Sequence, residues 1–283
     1  GGKKLQEFGS LSLTSWSLTR CTLEEAAGIG RALGIEGLDL GLHHGPALPK
    51  GRLLADPAGL AGEIRALGIT CPNLYWLFGE GLVERNLADP EARGANEADF
   101  RRVLAFCAAA AIPTIFVLPG ICGQGVGRAA ALERSATSLR PLVTMARDAG
   151  ITLTVEPHVG GFLESPELTL ALLEAVPGLE LTLDYAHFTC LGFTQGEIDP
   201  LAPHAAHVHL RQARPGALQC RLEHGTLNFP AMLATLAGHG YRGRLALEYV
   251  HQDYMDTLHD DVLSETIKMR DLVRLQTTTP AAR

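Results

Sequence analysis

Four stretches of this sequence each end an alternating apolar run on a residue able to bind a metal or move a proton. ITLTVEPHVGG (151–161) delivers Glu156, LELTLDYAH (179–187) delivers Asp184, HAAHVHL (204–210) delivers His209, and RLALEYVH (244–251) delivers Glu248. A strand that carries an acid to its own C-terminal tip and then breaks puts that acid on a rim. Two glutamates, an aspartate and a histidine make a mostly hard-oxygen donor set. It suits Mn²⁺, Mg²⁺ or Co²⁺ better than a thiolate-seeking ion, with Zn²⁺ a further option. One acid at a strand end is more often a helix cap or a solvated rim residue, whereas four in succession suggest a site. His207 sits two residues before His209 and therefore shares its face of the strand, so either can be the ligand. His209 is preferred because it is nearer the strand end, leaving His207 to the core or the layer behind. His187, three residues beyond Asp184, can point into the same mouth. His158, and more weakly His43, His44 and His224, are candidates for contacting substrate hydroxyls.

The elements that must position these residues alternate along the whole chain. Strand-like runs begin at LSLTSW (11–16), IEGLDL (35–40), GITCPNLYW (68–76) and PTIFVLPG (113–120), and continue with the four above. Between them lie helical stretches with recognisable starts: Thr22 with Glu25 in a capping-box spacing, Asp56 followed by Pro57, and Ser165 before PELTLALLEAV. The segment 78–95 reads as a polar loop with a short helical piece, and GICGQGVG (120–127) as a flexible glycine-rich loop. Strand and helix in alternation predict a parallel sheet. Eight such units in 283 residues match a (β/α)8 TIM barrel, a single domain with its barrel over about residues 11–275. An open doubly wound sheet is the runner-up, weakened by the lack of a GxGxxG after the first strand. In a parallel barrel all C-terminal strand ends open on one face, so strands five to eight present their four residues as one arc.

Composition narrows the function classes. A hydrophobic content of 46% is ample for a large core, and a net charge of −7 argues against a nucleic-acid surface. The six cysteines are scattered singly, without a CxxC pair, as befits buried thiols in a reducing compartment rather than a disulfide framework. No apolar run approaches membrane-spanning length. The expectation is a cytoplasmic protein without nucleic-acid or membrane partners, acting on a small molecule and pairing into a homo-oligomer through the 78–95 loop.

The order E-P-H, D-x-x-H, H-x-H-x-R and L-E on strands five to eight resembles the xylose isomerase-like TIM barrels. That superfamily of sugar phosphate isomerases and epimerases includes ketose 3-epimerases, hydroxypyruvate isomerases and inosose-modifying enzymes. The resemblance runs from about Leu11 to Asp271 and is strongest between 150 and 250. It implies that Glu156, Asp184, His209 and Glu248 bind one divalent ion, Mn²⁺ first, and that His187 and Arg214 hold substrate oxygens. EHGTLNFPAML also resembles the G-x-G-x-x-x-F/W segment after strand seven, with Glu223 in place of one glycine. The position three after His209, commonly acidic in these proteins, is Gln212 here, which removes a charge from the rim. Arg211, Arg214 and Arg221 can each serve a phosphate or a carboxylate, so the family name assigns no substrate.

Such a centre supports proton abstraction beside a carbonyl. A metal chelating the carbonyl oxygen and a neighbouring hydroxyl stabilises the enediolate, with Glu156 and Glu248 as acid and base. The expectation is a metal-dependent isomerase or epimerase of a sugar or keto-sugar. The same device can expel a β-substituent, which makes a lyase or dehydratase on a keto-sugar or keto-glycoside, C-glycoside cleavage included, the nearest rival. An endonuclease IV-like repair enzyme and a non-catalytic barrel subunit carry less weight. The first needs more histidines on strands two and three, and the second leaves a full ligand set idle. Trp76 and Phe78, at the tip of strand three, offer an apolar wall to a sugar face.

Overall fold

The structure, a computed structural model, describes residues 8–41, 48–253, 257–258 and 260–278. Eight parallel strands close into a barrel in chain order: β1 (Leu11–Thr14), β2 (Gly37–Gly41), β3 (Asn73–Tyr75), β4 (Thr114–Val117), β5 (Thr152–Val155), β6 (Glu180–Asp184), β7 (Ala205–Leu210) and β8 (Leu245–Leu247). β8 pairs back onto β1, with Leu13 opposite Leu247.

Strand alternation divides the barrel into two environments. Leu13, Leu38, Leu40, Leu74, Ile115, Val117, Val155, Leu183, Val208 and Leu247 join the main apolar core. Many residues between them are polar and meet across strands, whereas Phe116 joins Trp16, Tyr75 and Val250 in a second, smaller apolar cluster. Thr154 and Thr182 share a hydrogen bond of 2.7 Å, Asn73 donates to Thr114 at 2.6 Å, and His207 Nε2 lies 2.6 Å from Asp39 Oδ2. Buried polar groups persist only when paired, so the polar barrel interior is held by these bonds between strands.

The helices are α1 (Leu23–Ala32), α2 (Lys50–Ala55), α3 (Pro57–Ala66), α4 (Arg93–Ala110), α5 (Arg128–Asp148), α6 (Pro166–Ala175), α7 (Tyr185–Cys190), α8 (Gln195–Ile198), α9 (Phe229–Gly238) and α10 (Val262–Thr278). The expected starts form: Thr22 and Glu25 make both bonds of a capping box, Asp56 caps α3 ahead of Pro57, and Ser165 caps α6. α2, α7 and α8 were not expected from sequence. Each is six residues or fewer, too short to show a helical period. Within 78–95 the helical piece is a single 3₁₀ turn at Pro90–Ala92 leading into α4.

Candidate metal centre

β5 to β8 bring their terminal residues together as the barrel closes. One ligand atom from each of Glu156, Asp184, His209 and Glu248 lies within 4.8 Å of the other three, and all four residues are buried. His209 Nδ1 is 2.6 Å from Glu156 Oε2 and 3.3 Å from Glu248 Oε2. Neither nitrogen of His209 has a hydrogen-bond partner, and the same holds for Glu156 Oε2 and Glu248 Oε1. Buried donors and acceptors that approach this closely without aligning on one another are costly unless a shared cation takes their lone pairs. The donor set therefore fits a divalent ion.

The electrostatics agree. Burial works to lower the His209 pKa, but Glu248, Glu156 and Asp184 outweigh it and hold it at about 10. Burial raises Asp184 to about 6 against the opposing pull of Arg211. Three carboxylates crowd around one imidazole, so protons occupy the centre wherever a metal does not.

Two further groups orient the ligands. Trp16 Nε1 donates to Glu248 Oε2 at 3.0 Å. Arg211, two residues beyond His209 and on the same face, donates through Nη2 to Asp184 Oδ2 at 3.1 Å and lies 3.3 Å from Glu248 Oε1. Asp184 also accepts the Ala186 N–H at 2.9 Å as the N-cap of α7, and this short helix carries His187 toward the centre.

His187 and His158 are both held by the backbone of one residue, Val159. The Val159 N–H donates to His187 Nδ1 at 3.1 Å, while His158 Nδ1 is 2.7 Å from the Val159 carbonyl oxygen. An imidazole nitrogen that accepts a bond carries no proton, so the proton of His187 resides on Nε2. That N–H lies 3.6 Å from Asp184 Oδ2 and 3.9 Å from Glu156 Oε1. Burial, reinforced by His158 and Arg211, keeps the His187 pKa well below the ordinary histidine range. A neutral Nε2–H donor facing the ligands suits a substrate oxygen, and it makes the grouping of Glu156, His158 and His187 a poor second metal site.

A cavity of about 500 Å³ opens above the centre. Its lining combines polar groups from Glu156, His158, His187, Arg211 and Glu248 with the apolar surfaces of Trp16, Tyr75, Leu77, Leu82, Leu218 and Val250. Two residues expected at the substrate, Trp76 and Arg214, fall elsewhere, while His207 takes the core position expected of it. Trp76 is buried behind the strand, 6.1 Å from the Phe78 ring with the Lys50 ammonium over its face, because alternation turns Tyr75, not Trp76, inward. Arg214 is exposed in the loop after β7 and does not line the cavity, whereas Arg211 does. His207 pairs with Asp39 inside the barrel. His224 is exposed, and His43 and His44 lie outside the described residues.

Gln212 does not face the cavity. Its side chain donates to the Leu222 and Leu227 carbonyls and accepts from the Ala213 and Leu227 N–H groups, pinning the loop after β7. A Cβ on Gly225 would stand 2.2 Å from this side chain, so glycine is required there.

A family model described as xylose isomerase-like TIM barrel matches residues 28–270. A human protein named "Putative hydroxypyruvate isomerase" is 29% identical over 179 residues, which are 57% of this chain and 62% of the human protein's length. Among solved structures, IolI protein with a zinc atom superimposes with a TM-score of 0.74 at 16% identity, covering 95% of this chain and all of IolI. A D-psicose 3-epimerase from Clostridium cellulolyticum H10, solved with D-tagatose, gives a TM-score of 0.73 at 15% identity, with 95% and 100% coverage. At these identities the structural likeness is one of fold.

Proposed function

Since the chain belongs to the xylose isomerase-like TIM barrel family, we propose that it is a divalent-metal-dependent isomerase or epimerase of a sugar or keto-sugar. Glu156, Asp184, His209 and Glu248 hold one ion, Mn²⁺ in the first instance because three of the four donors are carboxylates. One observation carries the reading. Of the four converging residues, Glu156 and Glu248 line the cavity, and Asp184 and His209 do not. The two ends of the arc thus face the substrate as acid and base, and the middle pair anchors the ion. When bound, the ion supplies a Lewis acid that polarises a substrate carbonyl and offsets the negative charge that develops on its oxygen.

The residues do the rest. One glutamate takes the proton from the carbon beside the carbonyl. A proton returned to the neighbouring carbon gives the isomer, and one returned to the opposite face of the same carbon gives the epimer. Either product has the composition of the substrate. His187 Nε2–H donates to a substrate oxygen, and Trp16 keeps the Glu248 carboxylate turned toward the centre. The test is elemental analysis of the purified protein and of Asp184→Ala, followed by solvent-deuterium exchange into keto-sugars for Glu156→Gln and Glu248→Gln. About one ion in the parent and none in the Asp184 variant is expected. Exchange should appear in the parent, with product of conserved composition, and vanish in both glutamine variants while the fold persists. A parent that takes up no ion from added Mn²⁺, or exchange surviving in both variants, would overturn the proposal.

A further inference from the structure

The charges around the cavity bear on the kind of sugar it can hold. Arg211 is the one lysine or arginine among the described residues that line it; its Nη2 already faces two carboxylates, and its buried Nε has no hydrogen-bond partner. Its guanidinium is buried, bonded to Asp184 and 3.3 Å from Glu248. Arg214 and Arg221 are exposed on the loop after β7 and outside the cavity wall. Lys50 works from behind the wall, its ammonium on the carbonyl oxygens of Leu77, Phe78 and Gly79 at 2.6–3.0 Å. At the mouth the charged lining residues are acidic, Glu80 and Asp253.

The buried centre is balanced once an ion is bound. Glu156, Asp184 and Glu248 carry three negative charges, and the ion supplies two positive charges and Arg211 the third. Arg211 is an internal counter-ion rather than a receptor. An entering phosphate or carboxylate would lose its water against the carboxylates with no further lysine or arginine among the described lining residues to pair it, and unpaired buried charge is costly. Glu80 and Asp253, although exposed, add repulsion on approach.

We infer that the site takes an uncharged keto-sugar, and neither a phosphorylated nor a carboxylated one. This inference rests on the metal-dependent reading above and sharpens it. Hydroxypyruvate, after which the human relative is named, carries a carboxylate and falls outside the class.

The test uses the Co²⁺-loaded full chain, whose visible absorption reports sugar binding without turnover. D-fructose, D-tagatose and D-psicose are titrated beside D-fructose 6-phosphate and 5-keto-D-gluconate at 0.15 M salt. At least one neutral ketose should perturb the spectrum, with both anions bound at least ~10-fold more weakly. The double substitution Glu80→Gln and Asp253→Asn should narrow that gap and leave Co²⁺ uptake unchanged. An anion that binds as tightly as the best neutral ketose, or a spectrum that no neutral ketose perturbs, would overturn the inference while leaving the metal centre standing. Failure to acquire a Co²⁺ spectrum at all would instead defeat the metal reading on which it rests.

Discussion

At the scale of single residues, the groups that tune the centre are those with no local signature. The Trp16 indole reaches Glu248 across 232 positions of sequence, and it packs against Gly41, where a Cβ would stand 2.5 Å from its ring. Nothing near Trp16 in the chain announces that contact. Arg211 did have a signal, because H-x-H-x-R places it on the same strand face as His209. Arg214 was favoured instead by family resemblance, yet it turns out to solvent. Ligand orientation by such neighbours is commonly worth 10–100-fold in metal affinity or activity. Trp16→Phe retains the ring and deletes the N–H donor, so it should weaken Mn²⁺ binding by roughly that factor. The measurement is a competition titration against a chelating dye. An unchanged affinity would show that Glu248 is held by its other contacts alone.

Among the elements, those with caps and periodicity were legible and the short ones were not. Thr22, Asp56 and Ser165 start their helices as their spacing predicts. α7 is six residues long, and its N-cap is itself a candidate ligand, Asp184. The D-x-x-H spacing therefore has a structural cause: the cap and a residue in the first turn of one helix share a side. The loop after β7 depends on Gln212, whose amide makes four hydrogen bonds to the backbone within residues 213–227. Gln212→Ala leaves buried backbone groups without partners, at about 1–3 kcal/mol for a buried group left unsatisfied. We expect a loss of about that size in urea unfolding, together with earlier proteolysis within 213–227. Cleavage no faster than in the parent would remove Gln212 from that role.

Considered as a whole molecule, the barrel also buries thiols that are not among the candidate ligands, and these contribute to its response to alkali. Burial, with a smaller contribution from the Asp39 charge, pushes the Cys71 thiol up to about 12, and burial drives Cys107 well above its ordinary value. The unfolded chain ionises its thiols near pH 8.5. Above that pH the folded state holds more protons than the unfolded state, so stability must fall as pH rises from about 8.5 toward 12. The urea midpoint should therefore drop between pH 8 and pH 10.5, with a shallower slope in Cys71→Ala. Equal slopes in the two proteins would assign the effect elsewhere. No helix among the described residues is long and apolar enough to cross a membrane.

The sequence by itself determined the barrel and the four converging residues, because both depend on patterns a chain carries locally. Alternation of strand and helix dictates a parallel sheet, and an acid at a strand tip reaches the same rim wherever that strand lies in the ring. Only the tertiary structure decided which neighbours complete the centre. Whether Tyr75 or Trp76 faces inward depends on a one-residue phase in β3 that an apolar run leaves ambiguous. The bonds of Trp16 to Glu248, of Arg211 to Asp184 and of His207 to Asp39 join residues that only barrel closure brings within reach. The Val159 backbone that sets two imidazoles has no side-chain signature at all, since a backbone N–H and carbonyl are common to every residue but proline.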